Sequence, residues 1–349
     1  MQPMREITYS QAINEAIAEE MRRDPAIVIL GEDVAEAGTP FKVLAGLVDE
    51  FGTERVIDTP ISEPGFTGIG VGAAMSGLRP VVDLMFGDFL FLVMDQLCNH
   101  AAKAHYMSGG KLRVPMVVRT NMGGRRRAAA QHSQSLHALA AHVPGLKVAL
   151  PATPHVAKAV WKAALRDPGP VVIFEHKLLY QQKGRVPEGE VAPLPLGQAR
   201  VCRPGRDVTL VALSSFVQLA EEAADRLAEE GISAEVIDPV TLVPLDRETI
   251  LASVRRTGRA VVLDEGHRGF GASAELAALI AEACFYHLDA PVRRLAALDV
   301  PAPFSPVLED LTQPGVADVL ATVREMLGRE SVGREGPGRE GPGRGGDGA

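Results

Sequence analysis

The sequence alternates short apolar segments with longer stretches of helical spacing, and this alternation limits the folds that the chain can adopt. In the first half, segments rich in Val, Ile and Leu lie at 26–34, 79–86, 114–120 and 170–176. Their length and continuous apolar character predict strands that are buried on both faces. Alanine-rich helical patterns lie between them at 95–106 and 154–165. The alternation predicts a first α/β domain, with a parallel sheet between layers of helices.

A second alternation of the same kind follows a stretch rich in Pro, Gly and Glu at 184–196. That composition is typical of a linker and is not expected to supply a regular core element. The later pattern predicts strands at 207–213, 233–238, 259–266 and 291–298, and helices at 217–230, 246–256 and 271–285. We therefore predict two open α/β domains, at residues 1–190 and 197–327.

Residues 328–349 contain an imperfect GREGP repeat, no aromatic residue and almost nothing apolar. Because such a segment buries too little apolar surface to offset the loss of chain entropy, we predict a disordered tail. The Gly-Asp-Gly near its end resembles part of a cofactor-binding motif, but only Ala349 follows, and low complexity explains it better.

Charge and cysteine content exclude several classes of protein. The formal net charge is −8, and basic residues cluster only at 125–127, whereas proteins that bind duplex nucleic acid usually carry a basic face. No apolar run is long enough to span a membrane, and no secretion signal or transit peptide is evident. Cys98, Cys202 and Cys284 fit neither a zinc motif nor a disulfide framework. We expect no nucleic-acid or membrane partner, and a cytoplasmic location.

Glu63 lies just beyond an apparent strand end, in the segment DTPISEPGFTGIGVGAAMSG at 58–77. A carboxylate beside Pro64 and Phe66 is expected to be partly desolvated, which suits proton exchange near neutrality. The glycines that follow could bind phosphate at a helix start, but their spacing matches neither the dinucleotide fingerprint nor the phosphate-binding loop. Close packing of a Gly/Ala helix explains them better.

The segment MFGDFLF at 85–91 concentrates phenylalanine at a predicted strand end. Aromatic rings at such a position could stack on a flat heterocycle. Burial in the core is the more common fate of phenylalanine, and the segment alone does not separate the two interpretations.

His132 lies in the polar run QHSQS at 131–135, just before an apolar helical pattern. A polar loop that carries histidine at the mouth of an α/β sheet suits general acid/base chemistry. His137 and His142 follow, but their separation of five residues lacks the spacing of a helical zinc site. We therefore do not assign a metal to these histidines.

Six segments occur in the order found in one known family. They are GEDV at 31–34, DTPISEPGFTGIGVGAAMSGLRPV at 58–81, FGDFLFLVMDQLCNHAAKAHYMSGG at 86–110, QHSQSLHALAAHVPGLKVALPATP at 131–154, ISAEVIDPVTLVPLD at 232–246 and DEGHRGFGASAEL at 264–276. Together they resemble the beta subunit of the thiamine-diphosphate-dependent decarboxylase component of 2-oxoacid dehydrogenase complexes. The resemblance extends over residues 4–327.

The resemblance implies a transketolase-like pyrimidine-binding domain followed by a transketolase C-terminal domain. It also implies a separate alpha subunit that supplies the diphosphate-binding half, since no Gly-Asp-Gly motif followed by Asn residues occurs in the first 327 residues. Thiamine diphosphate and Mg2+ would then bind at an alpha/beta interface in an α2β2 heterotetramer. The implied activity is oxidative decarboxylation of a 2-oxo acid, either pyruvate or a branched-chain acid, and acyl transfer to a lipoyl-bearing acyltransferase component.

Family roles transfer to matching positions. Glu63 would hydrogen-bond a ring nitrogen of the cofactor's aminopyrimidine and so promote loss of the thiazolium proton. Phe89 would stack on the aminopyrimidine, with Phe86 as the second candidate. His132 would assist proton or acyl transfer near the lipoyl group. The family often carries a structural potassium ion on main-chain carbonyls, which by position would be those of Ala164, Asp167, Gly169 and Met116.

The sequence also departs from the family pattern. Met85 replaces a usual Gln, and RRRAAA at 125–130 replaces a glycine-rich stretch, which adds positive charge that could bind an acidic substrate group or the lipoyl-domain surface. Val156 replaces a usual Asp, and the segment at Pro239 loses an Arg. Alternatives therefore remain open: an acetoin-cleaving relative, a standalone transketolase-type enzyme, or a non-catalytic assembly subunit.

Overall fold

A computed structural model describes residues 3–329, so nearly all of the predicted tail, at 330–349, lies outside the described part of the chain. The strands of the first domain are β1 (Met4–Thr8), β2 (Ile27–Gly31), β3 (Val56–Asp58), β4 (Arg79–Phe86), β5 (Val117–Met122), β6 (Lys147–Ala149), β7 (Val171–His176) and β8 (Lys183–Pro187). Its helices are α1 (Tyr9–Arg23), α2 (Leu47–Phe51), α3 (Glu63–Met75), α4 (Ala102–Met107), α5 (His137–Ala141) and α6 (Pro154–Arg166). A 3-10 helix at Gly87–Val93 and a π-helix at Asp95–Ala101 connect β4 to α4.

The second domain repeats the alternation of strands and helices. Its segment of the chain contains strands β9 (Arg200–Arg203), β10 (Val208–Ala212), β11 (Ala234–Asp238), β12 (Thr241–Val243), β13 (Ala260–His267) and β14 (Arg293–Ala297). The helices are α7 (Phe216–Glu229), α8 (Arg247–Thr257), α9 (Ala272–Ala283), α10 (Pro306–Leu311) and α11 (Val316–Met326).

A seven-stranded sheet forms the centre of the first domain, in the order β12-β6-β7-β5-β4-β2-β3. All neighbouring strands are parallel except β12, which runs antiparallel to β6. Helices α1 and α6 pack against one face through an apolar cluster that includes Tyr9, Ile17 and Trp161. The other face carries α3 and the 3-10 and π-helices, with Val82 and Phe174 in their shared core. The predicted parallel sheet between helical layers is confirmed.

The second sheet has the order β14-β13-β10-β11-β9, and all its neighbours are parallel except β11 and β9. Helices α7 and α11 cover one face, where Phe216 and Val319 join the core. Helices α8 and α9 cover the other face, where Ile250 and Leu276 are buried. The sequence prediction of a second α/β domain is therefore confirmed as well.

Three local expectations differ from the structure. The stretch at 184–196 contains most of β8, which pairs antiparallel with β1, and it buries Val186 and Val191. A linker composition thus concealed a strand, because its partner lies at the far end of the domain. The helix expected at 95–106 begins as a π-helix. Strand β12 comes from the second half of the chain but joins the first sheet, which the local pattern did not indicate.

A buried cluster of charges lies inside the first sheet, centred on Arg119 of β5. Its guanidinium donates to the Asp83 carboxylate on β4 and, at 2.7 Å, to the Glu175 carboxylate on β7. The hydroxyl of Tyr180 and the indole N–H of Trp161 donate to the same Glu175 carboxylate at 2.8 and 3.1 Å. Because all members lack solvent, each carboxylate depends on these donors for its stability as a charged group.

Replacement of Arg119 by Met should therefore strongly destabilise the first domain. The variant leaves two buried carboxylates without their cation, and the expected loss is about 3–5 kcal/mol in the free energy of unfolding. Urea denaturation followed by circular dichroism measures it. The control is Arg255→Met, which removes an exposed pair with Glu248 and should change stability by less than about 1 kcal/mol. Equal effects of the two substitutions would contradict this account of the cluster.

Candidate active site

The predicted site residues gather at one edge of the first sheet. Glu63 is the first residue of α3, soon after the end of β3. Phe86 ends β4, and His132 lies in the loop that follows β5. Since the carboxyl ends of parallel strands share one edge of a sheet, residues far apart in sequence meet there.

Phe86, Phe89 and His132 form a compact aromatic group. The ring centroids of Phe86 and His132 are 4.6 Å apart with an edge-to-face angle of 81°. The Phe89 ring lies 5.8 Å from both the Phe86 ring and the His132 ring. All three side chains are half-buried, so the group keeps an accessible surface on which a flat ring could stack.

The backbone at the end of β4 sets the direction of these rings. Met85 has a φ of 58°, a left-handed conformation that is uncommon for a residue with a side chain. Its amide donates to the Asp83 carboxylate at 2.7 Å, and its carbonyl accepts from the Asn121 amide. These two contacts hold the strand end in its turn. The departure from the family pattern at Met85 thus falls on the residue whose left-handed backbone conformation turns the chain at the end of β4.

Glu63 is buried, with 8% of its surface exposed. Within residues 3–329, no group donates a hydrogen bond to its carboxylate, although the start of α3 provides a favourable helix dipole. Glu32, to which the sequence assigned no role, lies nearby. Burial, and then the charges of Asp33 and Glu63, raise the pKa of the Glu32 carboxyl. The site therefore contains a buried carboxylate that lacks a donor from its own chain.

The second domain fastens the loop that carries His132. Glu265, at the end of β13, accepts from the Gly124 amide at 2.7 Å, from the Gln313 side chain at 2.8 Å and from His176. Burial alone would raise the pKa of the Glu265 carboxyl, but His176 and these N–H donors lower it to about 2. Glu265 is thus a charged residue of the second domain that is held by two groups of the first domain, Gly124 and His176, and by Gln313 of its own.

Two of the three clustered arginines are used to hold the same loop. The Arg125 amide donates to the buried Glu309 carboxylate at 2.7 Å, and its guanidinium donates to the Pro314 carbonyl at 3.0 Å. Arg127 donates to Glu309 and Asp310 at 2.7 and 2.9 Å. The sequence suggested that this cluster offers positive charge to a ligand, but the charge of Arg127 is already paired with carboxylates of α10.

His137 supplies a further contact between the domains. The residue is fully buried, and its Nε2 atom lies 3.0 Å from the Asp264 carboxylate of β13. Within the described residues, no group of three or more His, Cys, Asp or Glu side chains could hold a metal ion. The imidazole of His137 therefore lies against a carboxylate of the second domain.

Three of the four carbonyls predicted to bind potassium already accept a hydrogen bond. The Ala164 carbonyl accepts from the Asp167 amide at 3.1 Å, and the Met116 carbonyl accepts from the Val171 amide at 3.0 Å. The Asp167 carbonyl accepts from Arg79 at 3.1 Å. A cation would have to share the Asp167 carbonyl with a guanidinium, and Gly169 uses its own amide to bind the Asp167 side chain at 2.8 Å.

Comparisons with known proteins agree with this arrangement. The family model for the transketolase pyrimidine-binding domain matches residues 5–183, and the model for the transketolase C-terminal domain matches residues 197–319. The beta subunit of acetoin:2,6-dichlorophenolindophenol oxidoreductase from Bacillus subtilis (strain 168) is 46% identical, over 93% of this chain and 98% of that protein. The pyruvate dehydrogenase E1 component subunit beta from Rhizobium meliloti (strain 1021) is 44% identical, over 92% of this chain and 70% of that protein.

The chain belongs to the family of transketolase-like beta subunits of 2-oxoacid and acetoin dehydrogenases. The 2-oxoisovalerate dehydrogenase subunit beta from Bacillus subtilis (strain 168) is 43% identical, over 92% of this chain and 98% of that protein. A solved structure described as a split-gene transketolase, an inactive beta4 tetramer, has a TM-score of 0.76 and 26% identity, over 92% of this chain and 99% of that one. The resemblance seen in the sequence motifs is confirmed, and with it the assignment of the chain to an oxidoreductase family.

Replacement of Glu265 by Gln tests the attachment of the loop to the second domain. At pH 7 the variant should lose about 3 kcal/mol of unfolding free energy, because it breaks a buried, hydrogen-bonded charge pair. The folded-state pKa of this carboxyl is depressed, so its contribution is complete above the unfolded value and disappears as pH falls towards about 2. The difference between wild type and variant in urea denaturation should therefore shrink steadily below pH 5. A difference that stays constant down to pH 2.5 would refute this assignment.

Proposed function

We propose that this chain is the beta subunit of a thiamine-diphosphate-dependent decarboxylase component, which acts on a 2-oxo acid together with an alpha subunit. The observation that carries the proposal is that Glu63, after β3, and an accessible aromatic group, after β4, lie at the same edge of the first sheet. Within residues 3–329 the Glu63 carboxyl has no hydrogen-bond partner, and its oxygens remain open to solvent or to a ligand. It could share one proton with a ring nitrogen of an aminopyrimidine, which accepts when it is unprotonated and donates when it is protonated.

The chain's residues fit the pyrimidine half of such a cofactor. Phe89, with Phe86 packed edge-to-face beside it, offers the face for stacking, and the Glu63 carboxyl can share a proton with a ring nitrogen. When bound, the cofactor supplies a carbanion-stabilising centre for decarboxylation. His132 is held edge-on against both phenylalanine rings, which places an imidazole where it can give or take a proton during acyl transfer.

The diphosphate and Mg2+ are assigned to an alpha subunit. Residues 3–329 contain no acidic or histidine cluster suited to a metal, and the sequence motif for diphosphate binding is missing from the same region. We propose an α2β2 heterotetramer with an interfacial site, and a lipoyl-bearing acyltransferase as acceptor of the acyl group. We assign residues 1–190 to the pyrimidine-binding domain and 197–327 to the C-terminal domain.

Pyruvate or a branched-chain 2-oxo acid is the proposed substrate, in the cytoplasm. Cleavage of acetoin is the second candidate, because the Bacillus subtilis relative named for acetoin matches along nearly its whole length. The chain is 43–46% identical to beta subunits of all three kinds, so the degree of identity does not distinguish among the three substrates. An activity assay has to do so. In the described part of the chain, no helix has the length and apolar character needed to cross a bilayer.

Calorimetric titration tests the shared site directly. Thiamine diphosphate with Mg2+ should bind the co-purified alpha/beta complex and should not bind this chain alone, because neither half supplies all the contacts. Oxidation of pyruvate, 3-methyl-2-oxobutanoate and acetoin by the complex, with an artificial electron acceptor, then identifies the substrate. Tight binding of the cofactor to this chain alone would contradict the proposed division of the site.

Replacement of Glu63 by Gln should reduce kcat by at least about 100-fold while the heteromer still assembles, because the amide keeps the shape of the side chain but cannot exchange a proton with the ring nitrogen. Steady-state kinetics measure the loss, and gel filtration checks assembly. The matched control is Glu54→Gln, a change at an exposed position, which should leave kcat within about twofold of wild type. Full activity of the Glu63 variant would overturn the role of this residue.

The potassium site is a proposal that rests only on the positions of four main-chain carbonyls. If the ion binds at Ala164, Asp167, Gly169 and Met116, it stabilises the folded state by mass action. The midpoint of thermal unfolding should then be higher in KCl than in NaCl at equal ionic strength. Equal midpoints would mean that the guanidinium of Arg79, which already binds the Asp167 carbonyl, takes the place of the cation.

A further inference from the structure

The side chain of Lys177 contacts the loop that carries His132. It begins a 3-10 turn, Lys177–Leu179, directly after β7, and its side chain is almost completely buried. The ammonium donates to the main-chain carbonyl of His132 and lies 5.6 Å from the centroid of the Phe86 ring. Since Phe86 itself packs against His132, Lys177 contacts both the backbone and the aromatic neighbour of the candidate acid/base residue.

Asp88 binds the same loop at Gln134, two residues after His132. It belongs to the 3-10 helix Gly87–Val93 and is buried. One carboxylate oxygen accepts from the Gln134 side chain at 2.8 Å and from the Gln134 amide at 3.3 Å. The two residues thus bind the chain at His132 and two residues later, and they come from segments that follow β7 and β4.

We propose that Lys177 and Asp88 are positioning residues that hold the backbone of His132 so that its imidazole faces Phe86 and Phe89. The assignment rests on the proposed function for the importance of His132, but the contacts themselves do not. The second domain holds this loop at 124–127, several residues before the histidine, whereas the anchors at His132 and Gln134 act next to it and so limit the direction of its side chain. Displacements of about 1 Å in such groups can reduce rates by about 100-fold.

The turn that carries Lys177 is itself held by the second domain. The Leu178 amide donates to Nδ1 of His176 at 3.1 Å, and the other ring nitrogen of His176 contacts Glu265. A continuous set of contacts therefore leads from Glu265 through His176 and Lys177 to the carbonyl of His132. The position of the histidine depends on the packing of the two domains as well as on its own loop.

The ionisation of Lys177 gives the arrangement a pH dependence. Burial lowers the pKa of the ammonium to about 8, against the opposing effect of the charges of Asp88, Glu265 and Glu309. The positive charge of Arg126 also lowers the pKa of the Lys177 ammonium. As pH rises through about 8, the amine loses its charge and becomes a weaker donor to the His132 carbonyl.

The test uses the alpha/beta complex and a double-mutant cycle. Lys177→Met keeps the length of the side chain and removes the donor, and it should lower kcat about 10- to 100-fold with unchanged affinity for thiamine diphosphate. In a His132→Ala background the same change should cost less than about threefold, because there is no imidazole left to position. Lys103→Met, which removes another lysine bond to a carbonyl, that of Pro144, is the control for simple loss of a lysine.

Two independent measurements complete the test. Hydrogen exchange of the amides of residues 131–135 should become faster in the Lys177→Met and Asp88→Ala variants, whether or not the complex is active. Lys177→Arg should retain part of the rate and should lose the alkaline decline near pH 8, since a guanidinium stays charged.

Equal losses of kcat in both backgrounds, or unchanged exchange in the loop, would overturn the positioning role. A wild-type complex that neither decarboxylates the two 2-oxo acids nor cleaves acetoin would instead defeat the proposed function, and the exchange comparison would still decide whether the anchors exist.

Discussion

The candidate site depends on a buried carboxylate, Glu265 of the second domain, whose hydrogen-bond partners come from both domains. The loop between β5 and α5 contributes few apolar side chains to any core, so hydrophobic burial alone cannot fix its shape. A buried charge requires its donors at defined distances, and this requirement is stricter than that of apolar contacts. His176, Gly124 and Gln313 meet it together. The geometry around His132 is consequently set by the way the two domains pack.

The two halves of the chain are also interlocked through their backbones. After β11 the chain returns to the first sheet as β12, pairs with β6, and then enters α8 of the second domain. Thr241 reinforces this crossing, because its hydroxyl donates to the Pro244 carbonyl and accepts from the Gly197 amide. The Gly197 amide, at the end of the segment that connects the two domains, is thus hydrogen-bonded to strand β12. Separation of the domains would break a sheet as well as an interface.

The sequence predicted those parts of the structure that depend on local pattern. Strand β4 was expected at 79–86 and lies there, and Glu63, Phe86 and His132 fall at strand ends because alternation of strands and helices brings such ends together. Strand β8 was hidden because its composition resembled a linker, and β12 because three residues carry too little pattern. The sequence did not predict a role for Lys177 or Asp88, because each acts through a contact with a residue 45 or 46 positions away in the chain. Long-range polar contacts leave no period in a sequence, whereas buried strands and helices do.

The loop at 125–129 adopts its shape against a local preference. Arg125, Arg127 and Ala129 all have φ angles of 58–60°, a region in which each residue with a side chain is disfavoured by about 1–3 kcal/mol. The contacts that offset this strain come from Glu265, Glu309 and Gln313, which are translated long after the loop. A ribosome that has completed the whole first sheet has therefore not yet made the residues that shape the edge with the candidate site. The edge is expected to be among the last parts of the chain to reach its final form during synthesis, although it belongs to the first domain to emerge.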